Sequence, residues 1–487
     1  MSRCPADTVT RAKAVARTLT TLVIALGSTV LLTLAGCASS AGIAPTATLV
    51  DPAKAGVSAA PAAPLAADWW QGFGDAALSS LIDQAVAGSP SLRVVEARVA
   101  RAAANAGIAH AAEGLQLGLA FDATRQRYTE NGIYPPPLAG STRDSGTLQV
   151  NGSWELDLFG RNRAALDAAI GAQRAAEADA AAARIVLAVN VARNYVQLAR
   201  LIEQREVLQR SLTQRDQVLG LIRQRVSAGL DTTAELYLGE GALPETRQQI
   251  EAVDEQIALT RHAIAALAAL PPDAADTLAP RLTAVRAVPV PELVPADLLG
   301  RRADIVAARW RVEAATGDVA AAKAQFYPNI NLVAFVGLST LGLDRLLQAG
   351  SVQYGIGPAI RLPIFDSGRL RANFSGRTAD LDAAIASYNG SVIDAVHDVA
   401  DQISSTRSLE RQLREQIDAV ASAERAYDVA TQRYRAGLAT YLTVLSAETN
   451  VLTQRRLGVD IRARTLDTQM LLVRALGGGY VAPAAVS

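Results

Sequence analysis

The stretch QRVSAGLDT at residues 224–232 returns as QRYRAGLAT at residues 432–440, with six of nine positions identical. The offset of 208 residues also carries Gly160 and Arg161 onto Gly368 and Arg369, Ala164 onto Ala372, Ala176 onto Ala384, and Glu240 onto Glu448. Self-similarity at one long offset describes a two-fold repeat, not a short-period solenoid. Upstream of each turn runs a proline-free stretch, residues 160–226 and 367–434, with Ala, Leu, Arg, Gln and Glu at helical periods. At 1.5 Å per residue each stretch predicts a helix roughly 100 Å long. Asp157, Asp366 and Ser367 fit N-cap positions. Gly229 and Gly437 fit the left-handed residue that ends such a helix. A returning helix follows each turn, over about residues 233–270 and 441–476.

Further upstream, each half opens on an Ala-rich helical stretch, about residues 91–112 and 302–325, and continues into two strands. Leu117, Leu119, Phe121 and Ala123 alternate with Gln116, Gly118, Ala120 and Asp122, and Leu148, Val150, Trp154 and Leu156 alternate with Gln149, Asn151, Ser153 and Glu155. Ile330, Leu332, Ala334 and Val336, then Val352, Tyr354, Ile356, Ile360 and Leu362, repeat the pattern. A half-buried sheet in a soluble protein alternates in this way, and so does an outer-membrane barrel, whose strands are ~10 residues long and joined by polar loops.

The two ends and the composition narrow the choice. Arg3, Arg11, Lys13 and Arg17 precede a mostly apolar run, residues 19–34, which reads as a secretory signal over residues 1–36. It ends in Leu34, Ala35, Gly36 and Cys37, which resembles the bacterial lipobox and makes Cys37 the acceptor of a diacylglycerol and an N-acyl lipid. An ordinary signal peptide with a chance cysteine is the alternative. Ala38 stands where the lipoprotein rule places an inner-membrane-retaining Asp, so the outer membrane is the expected destination. Residues 37–67, rich in Ala, Pro and Thr, read as a flexible lipidated tether. Without residues 1–36, 43 basic residues face 46 acidic ones, and nothing in the charge pattern points to nucleic acid. Cys4 and Cys37 are the only cysteines, so the mature chain has no disulfide or thiolate metal site, and His110, His262 and His397 lack metal-type spacing. Past Gly36 no apolar stretch reaches the roughly 20 residues of a spanning helix, so any membrane crossing uses strands. No nucleophile elbow, phosphate loop or paired-carboxylate motif supports an enzyme.

Four strands per chain cannot enclose a lumen, because outer-membrane barrels start at about eight strands. Two copies reach that minimum, whose interior side chains fill it, whereas three copies leave room for a path. The reading is an α+β membrane protein: a trimeric twelve-stranded barrel continued by a long periplasmic α-helical barrel, with repeats over residues 68–290 and 291–487.

Strand pair, Gly-Arg, very long helix, Arg-x-x-Ala-Gly-Leu turn and returning helix, occurring twice, resemble the outer-membrane factor family typified by TolC. The lipobox and the pattern of Trp69, Trp70, Phe73, Asp75 and Leu78 resemble its NodT/OprM-type lipoprotein branch. The resemblance implies a homotrimeric exit duct in the outer membrane that docks on a periplasmic adaptor and an inner-membrane pump, commonly of the resistance-nodulation-division type. It implies no cofactor beyond the lipid on Cys37. It also implies a mixed equatorial domain, here residues 69–88, 271–295 and the region near Ala475. A protein-secretion duct of the type I kind is the alternative within the class, and a coiled-coil lipoprotein without a pore is the alternative outside it; the latter leaves the strands unexplained.

Two sets of residues follow from that resemblance. The tips at Arg225, Gly229, Arg433 and Gly437 are the expected adaptor-docking end, unless these residues merely close two helical hairpins. The family's periplasmic constriction falls just after the second turn, at Leu442, Thr443 and Ser446, with ordinary coiled-coil packing of Leu442 as the alternative. Ser446 stands where an Asp is common, which removes the usual acidic ring. Glu448 does not restore it, because it lies about 200° around the helix from Ser446.

Overall fold

The computed structural model describes residues 40–51, 65–286 and 298–481; Cys37 and the rest of the signal region lie outside them. Among the described residues, the order is α1 (Ala76–Gly88), α2 (Pro90–Ala111), β1 (Gln116–Arg127), β2 (Thr142–Leu156), α3 (Arg161–Ser227) and α4 (Thr233–Leu267). After a single turn at Leu298–Arg301 come α5 (Ala303–Ala324), β3 (Asn329–Leu341), β4 (Val352–Arg361), α6 (Arg369–Arg435) and α7 (Tyr441–Ala475). The duplication is visible in the element lengths. Both α3 and α6 have 67 residues and both α4 and α7 have 35, each second copy following at the offset of 208. The 22-residue α2 and α5 stand 213 residues apart. The strand pairs absorb the difference, the loop after β1 covering residues 128–141 and that after β3 only 342–351.

One compact unit comprises residues 101–173 and 310–386 with the described part of residues 1–48. Its sheet is an antiparallel meander in the order β1-β2-β3-β4, with β1 and β4 as edges. Register carries the sequence alternation across all four strands. Leu119, Val150, Val336 and Tyr354 form one row, and Phe121, Leu148, Leu338 and Val352 the next. The opposite face carries Gln149, Asn151, Ser339 and Gln353, with Gln353 donating to Gln149 and Gln149 to Asn151. This face is not wholly polar, for Phe335 lies on it and its ring sits over Gly355, where a Cβ would approach to 2.7 Å. Beside the sheet α3 and α5 pack almost backbone to backbone. A Cβ on Gly317 would stand 2.8 Å from the amide nitrogen of Ala168, so no larger residue fits there without separating the helices.

Both long helices start on a glycine with φ near +71° and +86°, Gly160 and Gly368. The aspartates read as N-caps act from just outside the helices. Asp157 accepts from the Arg163 amide, and Asp366 accepts from the Gly368 and Leu370 amides, satisfying first-turn donors that lack helical partners. The segment read as a flexible tether is in part seated on α6. The Ala41 carbonyl accepts from Arg371, the Thr46 and Ala47 amides donate to Asp382, and in the second unit the Val50 amide donates to Asn389. Ala/Pro/Thr composition signals a chain without a core of its own, and it cannot reveal acceptors 336 residues away that fix it.

The second unit comprises residues 49–100, 174–309 and 387–487. Its main core joins the segment after residue 68 to α3, α4 and α7. Trp69, Trp70 and Phe73 meet edge to face, Phe73, Leu78 and Ile82 are fully buried, and they share one cluster with Tyr195, Leu198, Ile264, Leu282 and Met470. Each such burial contributes about 1.5–3 kcal/mol. Asp75 caps α1 through the Ala77 and Leu78 amides and receives the hydroxyl of Tyr195 at 2.9 Å. Burial, then that contact, pushes the Tyr195 hydroxyl well above its ordinary pKa. Along α3 an antiparallel polar ladder faces α7: Arg193 with Asp467, Arg200 and Gln204 with Asp460, and Glu203 with Arg462. This ladder binds the first repeat's long helix to the second repeat's returning helix.

Candidate functional site

The two helical turns close by the same hydrogen bonds. In the first, the Gly229 amide donates to the Val226 carbonyl and the Leu230 amide to the Arg225 carbonyl; in the second, Gly437 donates to Tyr434 and Leu438 to Arg433. This is a Schellman closure, and it requires the left-handed backbone that Gly229 and Gly437 adopt at φ 72° and 75°. The first returning helix then starts on a capping box, with the Glu235 carboxylate accepting from the Thr232 amide. In most Schellman motifs the apolar residue after the glycine folds back on the helix. Here Leu230 and Leu438 are instead 66% and 69% exposed.

Identical positions of the two nonapeptides build the turns, and positions that differ join them. Asp231 replaces Ala439 of the second copy, and Tyr434 replaces Val226 of the first. Arg225 grips Asp231 with two donors, Nε at 2.8 Å and Nη2 at 3.0 Å. The Tyr434 hydroxyl donates to the same carboxylate, and the Arg225 guanidinium lies 4.8 Å from the centre of the Tyr434 ring. The hydrogen bonds from Arg225 hold the Asp231 carboxyl below the usual carboxylate range against the desolvation that raises it. Arg225 is therefore occupied within the chain, whereas Arg433 is exposed and has no carboxylate within ion-pair distance among the described residues.

On α7, Tyr441 and Val444 are buried in a cluster with Ile222 and Tyr434, while Leu442 is 64% exposed and Thr443 and Ser446 are exposed with it. Leu442 is thus mostly uncovered by its own chain. Glu448 faces inward. It accepts from Ser211 at 3.1 Å and from Nε of Arg215 at 3.0 Å, and Arg215 also donates to Thr246 and to the Ala242 carbonyl. This buried network ties α3, α4 and α7 together one turn beyond Val444. Glu448 lies away from Ser446, as its helical position predicts, while its partner Arg215, 233 residues earlier, carries no local sequence signal. The three histidines sit exposed on α2, α4 and α6.

The sheet presents an exposed apolar face, with Leu119, Phe121, Val336, Tyr354 and Ile356 among its members, and two open edges. Open edges and an exposed apolar face call for a pairing partner and an apolar surrounding, and a closed outer-membrane barrel supplies both. Thirteen-residue β3, at about 3.3 Å per residue, has the length to cross a bilayer when tilted. Sheet and paired helical hairpins together define one protomer of an outer-membrane channel.

A sequence profile of the outer membrane efflux protein family matches residues 81–270 and again residues 294–478. The chain belongs to that family. It is similar to the multidrug resistance outer membrane protein MdtQ of Escherichia coli O157:H7, with 33% identity over 428 residues covering 85% of this chain and 88% of MdtQ. It is 39% identical over 318 residues to the fusaric acid resistance protein FusA of Burkholderia cepacia, covering 64% of this chain and 60% of FusA. The crystal structure of VceC from Vibrio cholerae superposes with a TM-score of 0.81 at 37% identity, covering 85% of this chain and 99% of VceC. The chain is an outer-membrane channel of multidrug or small-molecule efflux, not an enzyme. Its family forms trimeric channels that work with tripartite efflux components.

Proposed function

We propose that three copies of this chain form the exit duct of a tripartite pump, docking through their helical tips on a periplasmic adaptor that links them to an inner-membrane pump of the resistance-nodulation-division type. The observation that carries this is the exposure of Leu230 and Leu438 at the two Schellman turns, beside Gly229, Gly437 and the exposed Arg433. A helical-hairpin adaptor would cover these leucines and supply acceptors to Arg433. Arg225 supports the surface by fixing Asp231 and Tyr434. Leu442, Thr443 and Ser446 serve as the periplasmic constriction, three leucines forming a ring that resists wetting.

The same reading makes Cys37 the lipid anchor. Ala41 is held by Arg371 in the first turn of α6, next to the sheet's strand-to-helix junction. Ala41 stands only four residues after Cys37 in the sequence, which supports an anchor attached near that junction. The cargo class suggested by the relatives' names is small molecules, including organic acids.

The docking reading is tested with Leu230→Glu and Leu438→Glu combined, which keep both glycine turns. Resistance should be lost while trimers and single-channel conductance remain normal. Full resistance in the double variant rejects the tips as the docking surface.

A further inference from the structure

Where the strands pass into the long helices, a cavity of about 600 Å³ opens within the sheet-bearing unit. Arg161, Arg361 and Arg369 line it, and Glu155 is its one carboxylate that pairs with them. Glu155 and Arg361 occupy the sheet's polar face, Glu155 opposite Asn331 and Arg361 opposite Asn329. The Glu155 carboxylate is engaged by Nη2 of Arg161. Asp157 and Asp366 also lie nearby, but both accept from backbone amides of the helix starts. Among the described residues, no carboxylate stands within ion-pair distance of Arg361 or Arg369, and both are exposed.

The arginines at this junction are only partly paired. Arg161 and Arg369 are the first residues of α3 and α6, where the helix dipole already presents partial positive charge. At Arg161 the neighbouring Glu155 offsets this. At the start of α6 Asp366 complements the dipole through the Gly368 and Leu370 amides but forms no ion pair with Arg369, and the same position is an arginine in both repeats. Toward the other end of the polar face, Asp122 and Arg143 cancel, and at this end Glu155 and Arg361 do, so the charge excess of the cavity lining is that of Arg161 and Arg369 over Asp157.

We propose that Arg161, Arg361 and Arg369 form an anion-attracting ring in the duct at the base of the barrel, which favours small organic anions carrying a carboxylate or a similar planar oxyanion. The inference rests on the trimeric duct, since three copies around the axis bring nine guanidiniums together against six lining carboxylates, Glu155 and Asp157 of each chain, with Asp157 held by a backbone amide. Guanidinium forks match planar oxyanions, and a wall with an excess of one sign of charge concentrates the opposite ion.

Purified trimers in planar bilayers under a KCl gradient test it. The wild type should pass chloride in preference to potassium. Arg361→Gln with Arg369→Gln should lower the chloride-to-potassium permeability ratio at least about threefold, and Arg361→Glu with Arg369→Glu should invert it. Arg361→Lys with Arg369→Lys should keep it, and Arg125→Gln on the apolar face should leave it unchanged. A conducting glutamate variant with the wild-type ratio overturns the ring. Should those variants fail to assemble, citrate decides on the wild type alone: block at low salt, relieved in concentrated KCl, upholds the ring, and no block overturns it. Protein that assembles but conducts no ions rejects the duct itself, which separates the two failures.

Discussion

The hydroxyl of Tyr434 donates a hydrogen bond to Oδ2 of Asp231, tying the second helical hairpin to the turn of the first. Because Arg225 grips the same carboxylate, removal of either partner leaves charge or hydroxyl uncompensated at the tip. Tyr434→Phe loses one bond and keeps the ring beneath the guanidinium; Asp231→Asn loses the ion pair as well. Closed-state conductance in planar bilayers should rise in both, more in Asp231→Asn, with trimers intact. Equal wild-type conductance in both variants would remove the tip clamp from the closing mechanism.

The pH dependence of that clamp has a definite sign. Hydrogen bonds from Arg225 first, then from Tyr434, hold the Asp231 carboxyl below its unfolded value of about 3.9. A depressed carboxylate contributes its stability above that unfolded value and loses it as pH falls through the lower folded one. Burial and the Asp231 contact raise the Tyr434 hydroxyl, so its proton stays in place throughout the neutral range. Closed-state conductance should therefore stay flat from pH 7 to about 4 and rise below it. A rise already complete by about pH 5 would point to another titrating group.

Lipidation at Cys37 is checked by mass spectrometry of the mature protein. The native N-terminus should carry diacylglycerol and a third acyl chain, because several chains anchor stably where one binds reversibly. Cys37→Ser should lose them. The barrel is embedded independently, so trimers and most of the efflux should survive that substitution, and an unmodified native N-terminus would refute the anchor.

Element type, order and the repeat were legible because each rests on a local period: two in the strands, helical in the α3 and α6 stretches, and one offset joining the turns. The site was legible only where the two copies agree. Gly229 and Gly437 announce themselves by identity, whereas Asp231 and Tyr434 matter because they differ, and their pairing depends on a tertiary neighbour 203 residues distant. Arg215 with Glu448 was hidden for the same reason. The seating of residues 41–50 on α6 was masked by a composition that signals flexibility.

The last prediction concerns Leu442 and Ser446, one turn apart on the exposed side of α7 while Tyr441 and Val444 hold the buried side. An exposed leucine at that depth gains little from its own chain, and three copies about the axis would exclude water from the path by apolar contact. Leu442→Ala should raise the closed-state conductance with the fold of each chain kept, since most of that side chain is exposed. Ser446→Asp restores an acid facing the same side and should increase the preference for cations and the block by divalent ions. Because Glu448 is buried against Arg215, Glu448→Gln should not reproduce the Ser446→Asp effect on selectivity. Unchanged conductance in Leu442→Ala together with unchanged selectivity in Ser446→Asp would place the constriction elsewhere on the helices.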